Sequence, residues 1–157
     1  MYIYEHTQPG KFIRAMTGLW VMIFGVGSVV MVVLGGKEHA FMLSACIVML
    51  AVFTAIIFVL FHSLTVRISR NDMVIAFGVG LIQKNFAIGD IRSVRIVRNR
   101  WYHGWGIRKI RGGWLYNVSG YDAVEIQLKN ERKYRIGTDQ PEKLLAAVES
   151  ALAGLLR

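Results

Sequence analysis

The sequence predicts a membrane α+β protein, in which an N-terminal hairpin of two transmembrane helices carries a basic, mostly β domain. Three observations predict it. Two stretches, Ala15 to Gly36 and Ala40 to Phe61, contain no charged residue and are each 22 residues long. From Leu64 onward the apolar residues alternate with polar ones instead of running on. That second part also holds sixteen Lys/Arg against eight Asp/Glu, so it carries nearly all of the net charge of +9 on the 157-residue chain.

Residues 1–14 read as a cytoplasmic N-terminal segment. Residues 15–36 and 40–61 read as the two transmembrane helices. At about 1.5 Å per residue each makes a rod of roughly 33 Å, enough for a hydrocarbon core of about 30 Å. Backbone groups in hydrocarbon need internal partners, which forces the helical form. The connection, residues 37–39 (Lys37-Glu38-His39), sits between Gly35-Gly36 and Ala40. It is short enough to force an antiparallel hairpin with an external turn. Gly18 with Gly25 and Ala51 with Ala55 offer small surfaces for close helix approach.

Lys11 and Arg14 precede the first span, Arg67 and Arg70 follow the second, and the turn pairs one Lys with one Glu. The positive-inside rule then puts both termini in the cytoplasm. The first apolar run is too long for an ordinary signal-peptide core, and no clear A-x-A site follows it. The single cysteine, Cys46, lies within the second apolar stretch, so no internal disulfide or thiolate metal cluster is available.

The domain spans residues 64–157. Only His62 and Ser63 separate it from the second span. Two residues reach roughly 7 Å, so the domain must lie against the membrane. Leu64, Val66 and Ile68 alternate with Thr65, Arg67 and Ser69, the mark of a half-buried strand. Asn71-Asp72 is a turn signal. Strands follow at Met73 to Phe77, Leu81 to Ile88 and Ile91 to Val97, with Gly78-Val79-Gly80 permitting a tight reversal. Arg98 to Gly113 reads as irregular. Trp114 to Val118 is a short strand, with Gly106 to Ile110 as a candidate partner.

In Ala123 to Lys129, Val124, Ile126 and Leu128 face inward and Glu125, Gln127 and Lys129 outward. Arg132 to Ile136 completes the set. The C-terminal segment is an amphipathic helix on Leu144, Leu145, Val148, Leu152 and Leu155. Asp139 is its expected N-cap, with Glu142 at N3 and Pro141 in the first turn. About seven antiparallel strands and one helix make a small barrel or bent sandwich plugged by that helix.

The runs Gly104-Trp105-Gly106-Ile107-Arg108, Gly113 to Gly120, Ala123-Val124-Glu125-Ile126 and Arg135-Ile136-Gly137-Thr138-Asp139 with Pro141-Glu142 carry a further signal. Together they resemble bacterial membrane proteins with a pleckstrin-homology-like (PH-like) domain, over roughly residues 64–150. The resemblance implies a PH-like antiparallel fold beside transmembrane helices, with no catalytic activity. Phosphoinositide-binding members among eukaryotes carry a Lys/Arg cluster in the first hairpin. Here that turn is Ser69-Arg70-Asn71-Asp72, which argues against specific phosphoinositide recognition.

Chemistry concentrates in one region. Arg92, Arg95, Arg98, Arg100, Arg108, Lys109 and Arg111 occur with no acidic residue between Ile91 and Tyr121. Trp101, Tyr102, Trp105, Trp114 and Tyr116 are interleaved with them. Guanidinium groups hold phosphate and aromatic rings sit at headgroup depth. Arg95, Arg98, Arg100, Trp101, Tyr102, Trp105, Arg108, Lys109 and Arg111 are therefore the candidate lipid- or partner-binding residues. The competing reading has the arginines solvating a strand face and the tryptophans filling the core. His103 lies near Arg100 and Arg108, where it could meet phosphate.

The expected partners are anionic lipid headgroups, further copies of the chain or a larger membrane complex, in which it would be a small accessory subunit. Nucleic acid is disfavoured by the tether and by the lack of any recognition motif. No catalytic residues, metal or cofactor are expected. H-E-x-x-H, G-x-S-x-G and G-x-x-x-x-G-K-[ST] do not occur, and the histidines His6, His39, His62 and His103 are scattered.

Overall fold

The computed structural model describes residues 2–34 and 36–155, with side chains except at 31, 32, 34 and 36–43. The chain opens with a strand, β1 (Tyr4–Pro9), and then forms α1 (Lys11–Leu34) and α2 (Gly36–Phe61). β2 (Ser63–Ile68), β3 (Asp72–Phe77), β4 (Ile82–Ala87), β5 (Ile91–Arg98), β6 (Gly106–Ile110), β7 (Gly113–Asn117), β8 (Asp122–Leu128) and β9 (Lys133–Gly137) follow. α3 (Pro141–Leu155) ends the described chain, and single 3-10 turns occupy Ile88–Asp90 and Trp101–His103.

Both α1 and α2 are long and apolar enough to cross a membrane, and the apolar window of each is unburied by the rest of the protein. They start and end differently from expectation. α1 begins at Lys11, and Lys37-Glu38-His39, the expected external turn, belongs to α2. Gly35 lies outside the described residues. The small residues do not bring the helices together either. A Cβ added at Gly18 or Gly25 meets nothing within 4 Å. Gly25, Ala51 and Ala55 instead line a cleft of ≈ 400 Å³ between the helices, with Thr17, Phe24 and Phe58 around them.

The main correction concerns residues 1–14. Tyr4–Pro9 is a strand, antiparallel to β2 in the register Tyr4↔Ile68 through Pro9↔Ser63. Its inward side is mostly polar, which hides it from an apolar-alternation test. His6 Nε2 lies 2.6 Å from Asp139 Oδ1, and the buried Gln8 donates to the Ser119 carbonyl at 3.1 Å. Pro9 ends the strand, where its missing N–H does little harm.

The first sheet runs β1-β2-β3-β4 and the second β5-β8-β9-β7-β6. All pairs are antiparallel except β7 with β9, which is parallel. There are thus nine strands among the described residues, not about seven, in two separate sheets rather than a closed barrel. β1 is the strand outside expectation, whereas β6 is the candidate partner Gly106–Ile110, paired antiparallel with β7. The β6–β7 hairpin joins the second sheet through β9, and Gly113 makes this possible. A Cβ there would run into the backbone of Lys133.

The core lies between the sheets and under α3. Leu64, Ile68, Met73 and Phe77 of the first sheet meet Val124, Ile126 and Ile136 of the second, with Leu144 and Val148 of α3 closing the end. Phe86 and Tyr134 stack edge to face across the sheets at 4.8 Å. α3 starts at Pro141, but the expected capping box is not its start signal. The Gln140 carbonyl accepts the Leu144 N–H at 3.1 Å, and Asp139 is engaged by His6.

Two stability outcomes follow from this packing. Leu144→Ala removes a fully buried side chain and should cost about 2–5 kcal/mol in denaturant unfolding. A Cβ at Gly10 would lie 2.8 Å from the Phe61 carbonyl oxygen, so Gly10→Ala should cost about 1–3 kcal/mol. Gly18→Ala should leave the midpoint of thermal unfolding in lipid nanodiscs unchanged.

Candidate functional site

Four segments meet at the end of the helix pair where α1 starts and α2 finishes. β1 leads straight into α1 and α2 leads straight into β2. The Gly10 N–H donates to the His62 carbonyl at 2.7 Å, which ties the two crossings together. The β3–β4 turn is the third segment. Gly78 (φ +53) presses so closely on the last turn of α2 that a Cβ would strike the Val59 carbonyl and come within 2.8 Å of that of Leu60. Beside it, Val79 and Leu81 are 64% and 75% exposed. The fourth segment is the loop after β5, where the Trp105 ring stacks on Phe12 of the first turn of α1 at 3.9 Å and 15°.

The candidate residues divide into three groups on this frame. Arg98 ends β5, Arg100, Trp101 and Tyr102 project from the loop after it, and Trp101 is 77% exposed. The Arg100 guanidinium donates to the Tyr102 hydroxyl at 3.1 Å and lies 5.9 Å from its ring centre. Arg108, Lys109 and Arg111 are exposed on β6 and the β6–β7 turn. The Arg108 Nε donates to the Trp105 carbonyl at 3.2 Å. Arg95 is different, because it belongs to an ion-pair network with β8.

That network occupies the face of the second sheet turned away from the core. Glu125, 4% exposed in its side chain, accepts from Arg95 Nε at 3.0 Å and from Arg135 Nε at 2.7 Å. Burial alone would push the Glu125 carboxyl up. The hydrogen bonds and charges of Arg135 and Arg95 outweigh that and hold it below the usual carboxylate range. Arg135 also donates from Nη1 to Asn99 Oδ1 at 3.4 Å. Arg92 is likewise paired, with Glu131. The basic run is unbroken in sequence, but the fold supplies acidic partners for its first two members from β8 and the turn after it.

The tryptophans do not fill the core. Trp101 and Trp114 are exposed and Trp105 is half-buried against α1. Of the interleaved aromatics, Tyr116 alone joins the core. His103 sits in the loop with its basicity lowered by burial and by the charges of Arg135 and Arg100.

Sequence reasoning passed over Phe12, Val79, Leu81, Asn99 and Arg135 as site residues. The bare apolar turn Gly78-Val79-Gly80-Leu81 was a usable signal, since no charge lies between Asp72 and Lys84. Asn99 and Arg135 carry no local signal, because only strand pairing brings them together. Among the described residues, no group of three His, Cys, Asp or Glu side chains could hold a metal ion.

The Glu125 network makes a pH-dependent contribution. Its folded pKa is depressed, so its stabilisation is present above the unfolded carboxyl value of about 4.3 and is lost as pH falls through the lower folded value. Glu125→Gln should therefore cost up to about 3 kcal/mol at neutral pH. The gap to the native chain should close in unfolding curves taken below about pH 4.

Comparison of the chain with family models, with curated proteins and with solved structures gives no match.

Proposed function

We propose that this chain is a non-enzymatic, membrane-anchored PH-like module. Its two apolar helices cross the inner (cytoplasmic) membrane, both termini are cytoplasmic, and the domain holds anionic lipid headgroups or a protein partner at the inner surface. The observation that carries this reading is the stack of Trp105 on Phe12. If α1 crosses a bilayer, its first turn lies at headgroup depth, and the loop bearing Arg100, Trp101 and Tyr102, with Arg98 at the end of β5, lies there with it.

Other features support the same placement. Val79 and Leu81 are exposed apolar side chains on a turn pinned to the last turn of α2, where lipid would solvate them. Lys11, Arg14, Arg98, Arg100 and Arg108 are exposed. Each charge near an anionic surface contributes about 1 kcal/mol.

The PH-like reading is supported by strand count and order. Setting aside the β6–β7 hairpin leaves β1–β4 as one antiparallel sheet and β5, β8 and β9 as a second, closed by α3. On this reading the helix pair is inserted between the first and second strands, and the domain includes residues 4–9.

A smaller role, as an accessory subunit of a larger membrane complex or a self-associating chain, is favoured by the open cleft between α1 and α2. Native mass measurement after gentle solubilisation tests it, with a lone monomer counting against both.

For the leading reading, the full-length chain is placed in nanodiscs with Trp20→Phe, Trp105→Phe and Trp114→Phe, which keeps an aromatic ring against Phe12 and leaves Trp101 as the sole tryptophan. Brominated phospholipid should quench Trp101, and more strongly when anionic lipid is present. A fluorophore on Leu81→Cys should report an apolar surrounding. Unquenched Trp101 emission at the wavelength of an indole in water would refute the reading.

A further inference from the structure

The loop that opens at Asn99 holds an unusual set of side chains. Among the described residues, Asn99 Nδ2, His103 Nδ1 and Trp105 Nε1 are buried and have no hydrogen-bond partner. Asn99 as a whole is 5% exposed. Its Oδ1 accepts from Arg135, which turns the amide so that Nδ2 is the free end. Amide and indole N–H groups are donors only, and an imidazole nitrogen donates in one tautomer. Buried polar groups normally find partners, so three together in one short loop ask for an acceptor the chain does not supply.

The electrostatics narrow the acceptor. Burial is the larger cause of the lowered His103 basicity, and the charges of Arg135 and Arg100 add to it, so both guanidinium groups lie close enough to act on the ring. The Glu125 carboxylate, which shares Arg135 with Asn99, is already engaged by Arg135 and Arg95. An acceptor with several oxygens and negative charge fits this setting, and a phosphate group meets both requirements.

Access is built into the same segment. Trp101–His103 is a lone 3-10 turn, and the chain leaves it through Gly104 (φ +66) and Gly106 (φ +94). Those two positions suit a hinge, because glycine adopts positive φ without steric cost.

We propose that the Asn99–Trp105 loop is a phosphate-binding site, with Asn99, His103 and Trp105 donating to phosphate oxygens and Arg100 and Arg135 supplying charge. The 3-10 turn lifts to admit the ligand and closes over it. This rests on the headgroup-facing reading for the source of the phosphate, a phospholipid monoester headgroup, though not for the site itself.

The test uses the full-length, isotope-labelled chain in phosphatidylcholine nanodiscs, followed through the Trp105 indole and His103 imidazole resonances. Phosphatidic acid in the nanodisc and inorganic phosphate in solution are titrated separately. Saturable shifts at both residues are expected. Saturation with phosphatidic acid alone assigns the lipid headgroup, and saturation with both assigns the phosphate group from either source. Each supports the site.

Asn99→Asp replaces the free donor with an acceptor and should weaken binding by about tenfold or more, as should Arg100→Gln on the exposed surface. Trp101 quenching by brominated lipid should persist in Asn99→Asp, whose side chain is buried and takes no part in the headgroup contacts of the exposed loop. Shifts that grow without saturating, or that are equal in native chain and variants, overturn the site while leaving the headgroup-facing reading intact.

Discussion

The β1–β2 ladder is the constraint on which the other features rest. Six residues before α1 pair with six after α2, and the Gly10–His62 hydrogen bond closes the ladder at the helix end. The helix pair is therefore an insertion into a sheet and not an appendage on a linker. A flexible tether would let the domain reorient, but two strands locked in register leave almost no such freedom. Whatever surface the domain presents beside the helices is presented permanently.

That fixed geometry gives the loop chemistry its meaning. The stack of Trp105 on Phe12 and the close approach of Gly78 to α2 both lie beside the ladder's end. Together they set apolar side chains and arginines around one rim. In the proposed membrane setting the association cost is already met by the helices. Modest attractions at the rim then decide orientation and ligand choice more than they decide whether the chain binds.

Charge in this domain is sorted by folding. Arg92 and Arg95 acquire carboxylate partners, whereas Arg98, Arg100, Arg108, Lys109 and Arg111 face outward. Glu125 is the pivot, because it neutralises β5 and at the same time orients Arg135 toward Asn99. Burying that carboxylate is unfavourable by itself and is compensated only by two guanidinium groups. The network couples the sheet to the loop through hydrogen bonds.

The amphipathic strands of the second half, the two apolar helices and the terminal helix with its Leu144–Val148 stripe were legible in the residues themselves. Each rests on local periodicity, which backbone geometry converts directly into a buried face. The basic aromatic region was legible as composition. Tertiary structure alone decided three things. β1 became a strand because β2 offers it a partner, although its inward residues are polar. β7 lies parallel to β9 because Gly113 lets the backbones meet. Asn99 meets Arg135, and Trp105 meets Phe12, because pairing joins β5, β8 and β9 and the loop folds back to α1. Periodicity reports on a residue's nearest neighbours along the chain, and these arrangements depend on partners far from each other in it.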